Sequence, residues 1–266
     1  MNKPFSVSRL LFSLLVLIST TTPAATLTDV NKIIEKANLA SYYAGDDGRT
    51  QARMIIVDQQ GNKQMRQFTI LRKDTADLGN QDMLVFFSRP SDVNGTVFRV
   101  TKKVNGDDDR WLYLPALDLV KRISAGDKRT SFVGAHFFYE DVSGRNPKED
   151  NFTLLGVENG RYLIKAVPKN PETVEFSWYQ VAIDQSTFLP MQVTYYNESD
   201  KATRQMQVLK TQIIDGFTTV MHSKITDLTD NSFTEMQFRG VQYNLGIDNS
   251  VFSERSLRTP PKKWLR

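Results

Sequence analysis

The chain has 266 residues, 40% of them hydrophobic and 24% charged, enough to bury a sizeable core and inconsistent with a disordered tail or a multi-span membrane protein. Lys and Arg number 34 against 30 Asp and Glu, a net charge of +4 that suits an anionic membrane surface and is weak support for nucleic acid. Cysteine is absent, which removes disulfides, thiolate metal sites and cysteine nucleophiles, and His136 and His222 alone cannot build a histidine-rich metal centre.

Residues 1–25 read as an export signal. Lys3 and Arg9 supply the positive start, Leu10 to Ile18 the apolar run, and Ser19 to Ala25 the small polar end, with cleavage expected after Ala24 or Ala25. The run is far shorter than the roughly 20 residues a spanning helix needs. No cysteine follows the cleavage point to take a lipid, so a soluble, non-lipidated exported domain over 26–266 is expected.

Thr28 to Tyr42 places Val30, Ile33, Ile34, Ala37 and Ala40/Ser41 at helical spacing, with Thr28 as the expected cap and Gly45 to Gly48 as the stop. From there short apolar runs alternate with turn residues. The runs are 52–57, 64–71, 83–87, 96–101, 110–114, 119–123, 152–157, 161–167, 174–183, 191–196, 204–211, 222–228, 233–238 and 251–252. That spacing predicts an antiparallel meander curling into a sandwich or barrel.

Gln205 to Val208 and Phe233 to Phe238 alternate apolar and polar, as in strands with one wet face. Met54 to Val57, Met83 to Phe87 and Trp111 to Leu114 are apolar on both faces, so a helix, a second sheet or a bound apolar ligand must cover the other side. Ser131 to Val142 carries Phe132, Val133, Phe137, Phe138 and Tyr139 and is expected to be a short aromatic helix lying across the sheet, either as fixed core or as a lid.

Chemistry has little to work with. G-x-S-x-G is missing, and His136 near Asp141 has no serine placed beside it by any pattern. Asp107 to Asp109 lack the alternating ligands and distal glutamate of a calcium loop and read as a solvated turn. Phosphate loops and dinucleotide fingerprints are absent, and the aromatics do not interleave with Lys or Arg as base-stacking platforms do. No cofactor is expected. Apolar binding remains: exposing a sixteen-carbon chain to water costs on the order of 12 kcal/mol, and a cavity of flexible Phe and Met side chains offsets much of that.

Trp111 to Leu117 with Val120 to Ile123, then Ser131 to Gly134 with Phe138 to Val142, resemble consecutive blocks of the outer-membrane lipoprotein-sorting (LolA/LolB-like) family, in the branch found with RND-type exporters. Ser88 to Thr96, Leu189 to Val193 and Gly246 to Phe252 resemble further segments of it. The resemblance implies a mainly β fold with some α: a strongly curved antiparallel sheet of about eleven strands, an incomplete barrel covered by helices. It implies a non-enzymatic periplasmic carrier of lipid or lipoprotein acyl chains, working between an inner-membrane transporter (of the RND type on this branch) and the outer membrane. On that fold the cavity wall is expected from Met54, Ile56, Phe68, Ile70, Leu84, Phe86, Phe98, Trp111, Tyr113 and Trp178, with Phe132, Val133, Phe137 and Tyr139 above it. Which alternate of each strand faces inward stays open. A sensor or protein-interaction module on the same fold is the alternative, and an enzyme using His136 a distant third. The tail with Arg255, Arg258, Lys262, Lys263 and Arg266 either touches anionic headgroups transiently or is a solvated end.

Overall fold

The computed structural model describes residues 27–265, so the expected signal segment and Arg266 lie outside the described residues. The first element, α1 (Val30–Tyr42), is capped by Asp29, not by Thr28. The Asp29 carboxylate accepts from the Asn31 and Lys32 backbone N–H groups at 3.0 and 3.3 Å, satisfying two of the donors a helix start leaves free.

Six strands follow: β1 (Asp47–Val57), β2 (Lys63–Asp74), β3 (Gln81–Arg89), β4 (Val97–Lys102), β5 (Asp109–Leu114) and β6 (Leu119–Ile123). Beyond residues 124–149 and the short α2 (Tyr139–Ser143) come β7 (Asp150–Glu158), β8 (Arg161–Pro168), β9 (Trp178–Asp184), β10 (Pro190–Tyr196), β11 (Ala202–Ile214), β12 (Phe217–Asp227) and β13 (Phe233–Tyr243). The last helix, α3 (Arg255–Arg258), lies in the C-terminal segment. All thirteen strands form one antiparallel sheet in the order β6-β5-β4-β3-β2-β1-β13-β12-β11-β10-β9-β8-β7. The family resemblance implied about eleven strands. The apolar runs came closer, and of the fourteen only Val251–Phe252 forms a 3-10 turn in place of a strand.

Two hairpin arms, β1–β6 and β7–β13, join where β1 pairs with β13 (Met54 opposite Met236), leaving β6 and β7 as open edges. Six spacings of about 4.8 Å would hold β2 and β9 roughly 29 Å apart in a flat sheet. Phe68 of β2 and Tyr179 of β9 nevertheless line one cavity, so the sheet curls into an incomplete barrel. Register shifts between Arg49 and Gln51 and around Lys210 mark bulges, which bend strands.

The long aromatic helix expected over 131–142 does not form. Val133 and Gly134 take positive φ values of 50° and 80°, outside the helical region, and Ser131 pairs with Phe138 across a tight turn. Helix begins only at Tyr139. This strap, residues 124–149, leaves edge strand β6, crosses the inner face and delivers the chain to the opposite edge β7. Phe132, Ala135, Phe137 and Tyr139 pack with Met54 and Met236 in one core cluster.

The second face of the doubly apolar strands is covered by the chain's own C-terminus. Leu71, Leu84 and Val97 pack with Ile247, Val251, Phe252 and Leu257, joined by Phe86, Trp111, Tyr113 and Trp264. That segment has no strand partner for its carbonyls, and basic side chains satisfy them: Lys73 Nζ donates to Ile247 O at 2.6 Å, Arg49 Nε to Trp264 O at 2.7 Å, and Arg99 Nε to Phe252 O. The tail is therefore docked, not a loose solvated end.

Candidate functional site

Between α1 and the inner face of the curled sheet lies a cavity of about 450 Å³, within the usual roughly 300–1,000 Å³ of small-molecule sites. It exists because the covering helix is thin. Ala37, Ala40 and Ser41 recur at helical spacing and, with Ala44 just beyond the helix end, face the cavity with little bulk. The sheet supplies its apolar wall through Val181, Ile183, Val193, Met206, Val208, Met236 and Phe238. Met206 and Met236 are the adaptable kind of side chain that conforms to chains of varied shape.

One end of the cavity is polar, bounded by Asp141 and Arg145 of the strap, by Asp150 at the start of β7 and by Tyr42, Tyr179 and Tyr195. Behind it Glu140, only 1% exposed, sits among three cations: Lys128 Nζ at 2.9 Å, Arg129 Nη1 at 3.1 Å and Arg145 Nη1 at 3.2 Å. Burial alone would raise its carboxyl, but Arg129, Arg145 and Lys128 outweigh that and hold it at about 2. Arg145 also donates to Asp150 through Nε and Nη2, each at 2.8 Å, and the Tyr179 hydroxyl donates to Asp150 at 2.7 Å. Asp141 accepts from Arg204 of β11, and Arg129 reaches Glu175 while its guanidinium lies over the Phe138, Phe176 and Tyr195 rings. The strap is thus fastened by charge to the β9–β11 side of the barrel.

The anticipated wall residues separate into four places. Phe68, Ile70 and Phe137 line the cavity. Met54, Ile56, Phe98, Phe132 and Tyr139 share the inner face but belong to a solid cluster, in which the Phe132 ring centroid is 5.4 Å from Phe98 and 5.5 Å from Tyr139, with Val133 packed against it. Leu84, Phe86, Trp111 and Tyr113 lie on the opposite face under the C-terminal segment, because the alternating pleat turns them away from their inward neighbours Val85 and Leu112. Trp178 also lies outside the cavity lining, stacked on Tyr196 at 3.9 Å. The wall residues that sequence reasoning left out are those of β9–β13 and the small face of α1. The alanine spacing was visible, but a helical stripe of small residues has the same appearance whether it packs tightly or leaves space.

His136 does gain a serine neighbour. Its Nε2 is 2.7 Å from Ser232 Oγ and its Nδ1 is 2.8 Å from Thr234 Oγ1. Ser232 donates onward to Asp230 at 2.5 Å, and Asp141 pairs with Arg204, so among the described residues both imidazole nitrogens contact hydroxyls and neither contacts a carboxylate. Burial pushes the His136 ring below its ordinary value against the pull of Asp230 and Asp227. Among the described residues, no group of three or more His, Asp or Glu could hold a metal ion, and no helix is long and apolar enough to cross a membrane.

A family model described as uncharacterized protein matches residues 79–259, more than half of the chain. A DUF1329 family protein from Desulfovibrio piger superposes with a TM-score of 0.78 at 26% identity, over 87% of this chain and 100% of that one. A structure described as an outer membrane lipoprotein-sorting protein domain from Vibrio parahaemolyticus gives 0.78 at 24% identity, over 86% and 98%. A LolA superfamily protein from Nitrosomonas europaea gives 0.66 at 15% identity, over 85% and 98%. No curated protein matches. With its match over more than half of the chain, the protein belongs to the family of that model, and its open curled sheet has the fold of the LolA superfamily and lipoprotein-sorting structures.

Proposed function

We propose that this protein is a periplasmic carrier that takes the acyl chains of a lipid or lipoprotein into the cavity under α1 and passes them from an inner-membrane transporter to the outer membrane. The observation that carries the reading is the roughly 450 Å³ apolar space bounded by the small face of α1 and the Met- and Val-lined strands. Hydrocarbon enters it with a gain of about 0.8 kcal/mol per methylene withdrawn from water. The signal-like residues 1–25 support export, and the blocks around Trp111 and Phe138 support an RND-type exporter as donor. Contact with a membrane is supported by the cations Arg255, Arg258, Lys262 and Lys263 displayed on the docked C-terminal segment, each contributing about 1 kcal/mol near an anionic surface.

Native mass spectrometry and lipid extraction of the purified protein test the reading. Co-purified acyl lipid, displaced by added single-chain lipid, is expected. Protein that emerges lipid-free and fails to bind any acyl probe would sink it.

A further inference from the structure

The polar end of the cavity holds hydroxyl donors that none of the described residues uses. Tyr195 on β10 is 9% exposed, and Tyr42 closes α1 beside it. Both line the cavity, yet neither hydroxyl makes a hydrogen bond among the described residues, although Tyr179 next to them donates to Asp150. Arg204, whose guanidinium lies 5.1 Å from the Tyr195 ring, has a buried Nε that also lacks an acceptor. A buried donor without a partner, such as Arg204 Nε, is costly, about 1–3 kcal/mol, whereas the two tyrosine hydroxyls open onto the cavity and are free to donate to what occupies it.

The charges around them select what can sit there. Arg145, which lines this end, is already paired with Glu140, Glu149 and Asp150. Arg129 and Arg204 are committed to Glu140, Glu175 and Asp141. Asp141 and Asp150 themselves line the cavity, so an incoming carboxylate or phosphate meets two like charges, while Lys102, whose ammonium lies 4.6 Å from the Tyr42 ring and donates to Ser143 O, is not part of the lining. Burial first, and Asp141 second, raise both Tyr42 and Tyr195 above the ordinary phenol value, which keeps the two hydroxyls protonated as donors.

We infer that Tyr42 and Tyr195 form a subsite for the neutral carbonyl of an acyl ester or amide, so that the cavity takes esterified or amidated acyl chains in preference to free fatty acids. The inference rests on the carrier reading and adds an orientation to it: carbonyl toward the strap, hydrocarbon tail toward Met206 and Met236. Tyrosine donates one strong hydrogen bond to a carbonyl oxygen and offers no charge, which matches an ester and leaves a carboxylate without compensation.

The test titrates the purified protein with 1-monopalmitoylglycerol and with palmitate at pH 8, following displacement of a fluorescent acyl probe. The wild type is expected to bind the glyceride about tenfold or more tightly than palmitate. Joint Tyr42→Phe and Tyr195→Phe substitution is expected to weaken glyceride binding about tenfold and leave palmitate binding unchanged. The substitutions remove hydroxyls without protein partners, so the near-ultraviolet circular dichroism should stay native. A carbon-13 label in the ester carbonyl gives a second reading, shifting on binding to the wild type and not to the double variant. Glyceride binding that is equal in both proteins, or palmitate bound as tightly as the glyceride by the wild type, overturns the subsite while leaving the carrier intact. If neither lipid displaces the probe from the wild type, the carrier reading falls and the subsite with it.

Discussion

The two halves of the inner face are built from similar apolar strands and end in opposite states. Over β1–β5 the strap inserts Phe132 and Tyr139 among Phe68, Phe87 and Phe98, and their rings meet at centroid distances between 4.9 and 6.4 Å. Over β9–β13 the cover is α1, which presents Ala37, Ala40 and Ser41 to the sheet beside Ile34 and Asn38, and the space beneath remains as the cavity. Strand composition does not separate the filled half from the hollow half; the bulk of the covering segment does. Close packing is the rule in protein interiors, so a hollow of this size is a cost that function must account for.

The largest expected effect breaks the filled half. Phe132 is completely buried with its ring against those of Phe68, Phe87, Phe98 and Tyr139, and Phe132→Ala should cost about 3–5 kcal/mol in urea unfolding. Acyl binding per folded molecule should persist, because Phe132 is outside the cavity lining. Loss of binding in protein that remains folded would show that the two halves are one pocket.

Acid should loosen the strap next. The folded-state Glu140 carboxyl is held at about 2 against 4.5 in the free side chain, so between those values the unfolded chain binds the extra proton. Its contribution, roughly 3 kcal/mol, is fully present above about pH 4.5 and lost as pH falls toward 2. Chemical denaturation across that window in wild type and Glu140→Gln checks it. The variant should start weaker and show a shallower acid slope, and identical slopes would deny Glu140 this role.

Adding bulk to each half sharpens the contrast. Ala135→Phe in the sealed cluster should cost about 1–3 kcal/mol from overpacking. Ala40→Phe, which points bulk into the hollow, should cost less than about 1 kcal/mol yet reduce acyl-probe binding at least tenfold. Equal costs would mean that the hollow collapses in solution. The smallest effect concerns the outer face: Lys262→Gln with Lys263→Gln should leave stability within about 0.5 kcal/mol. Sedimentation with anionic vesicles should weaken by about 1 kcal/mol per charge removed, and an unchanged salt-dependent affinity would remove the tail from membrane contact.

Most strands were legible because each is a short apolar run bounded by turn residues such as Gln60-Gly61-Asn62 and Glu158-Asn159-Gly160. The helix over 131–142 was misread for an equally local reason. Its aromatic spacing fits a helical face, but the positive-φ pair Val133–Gly134 turns the chain back. The wall residues were partly misassigned for a different reason. A strand apolar on both sides, such as Met83 to Phe87, announces two covered faces without saying what covers either.

Sequence by itself determined the alternation, the turns and the helical α1, and it carried the family blocks, since all of these are properties of neighbouring residues. Only the tertiary structure decided that Leu84, Phe86, Trp111 and Tyr113 lie beneath the chain's own C-terminus while Val193, Met206 and Met236 surround empty space. The pleat makes the choice of face a single binary setting for a whole strand. It is made by segments more than a hundred residues distant that compete to cover it, and that competition leaves no trace in the strand's own pattern.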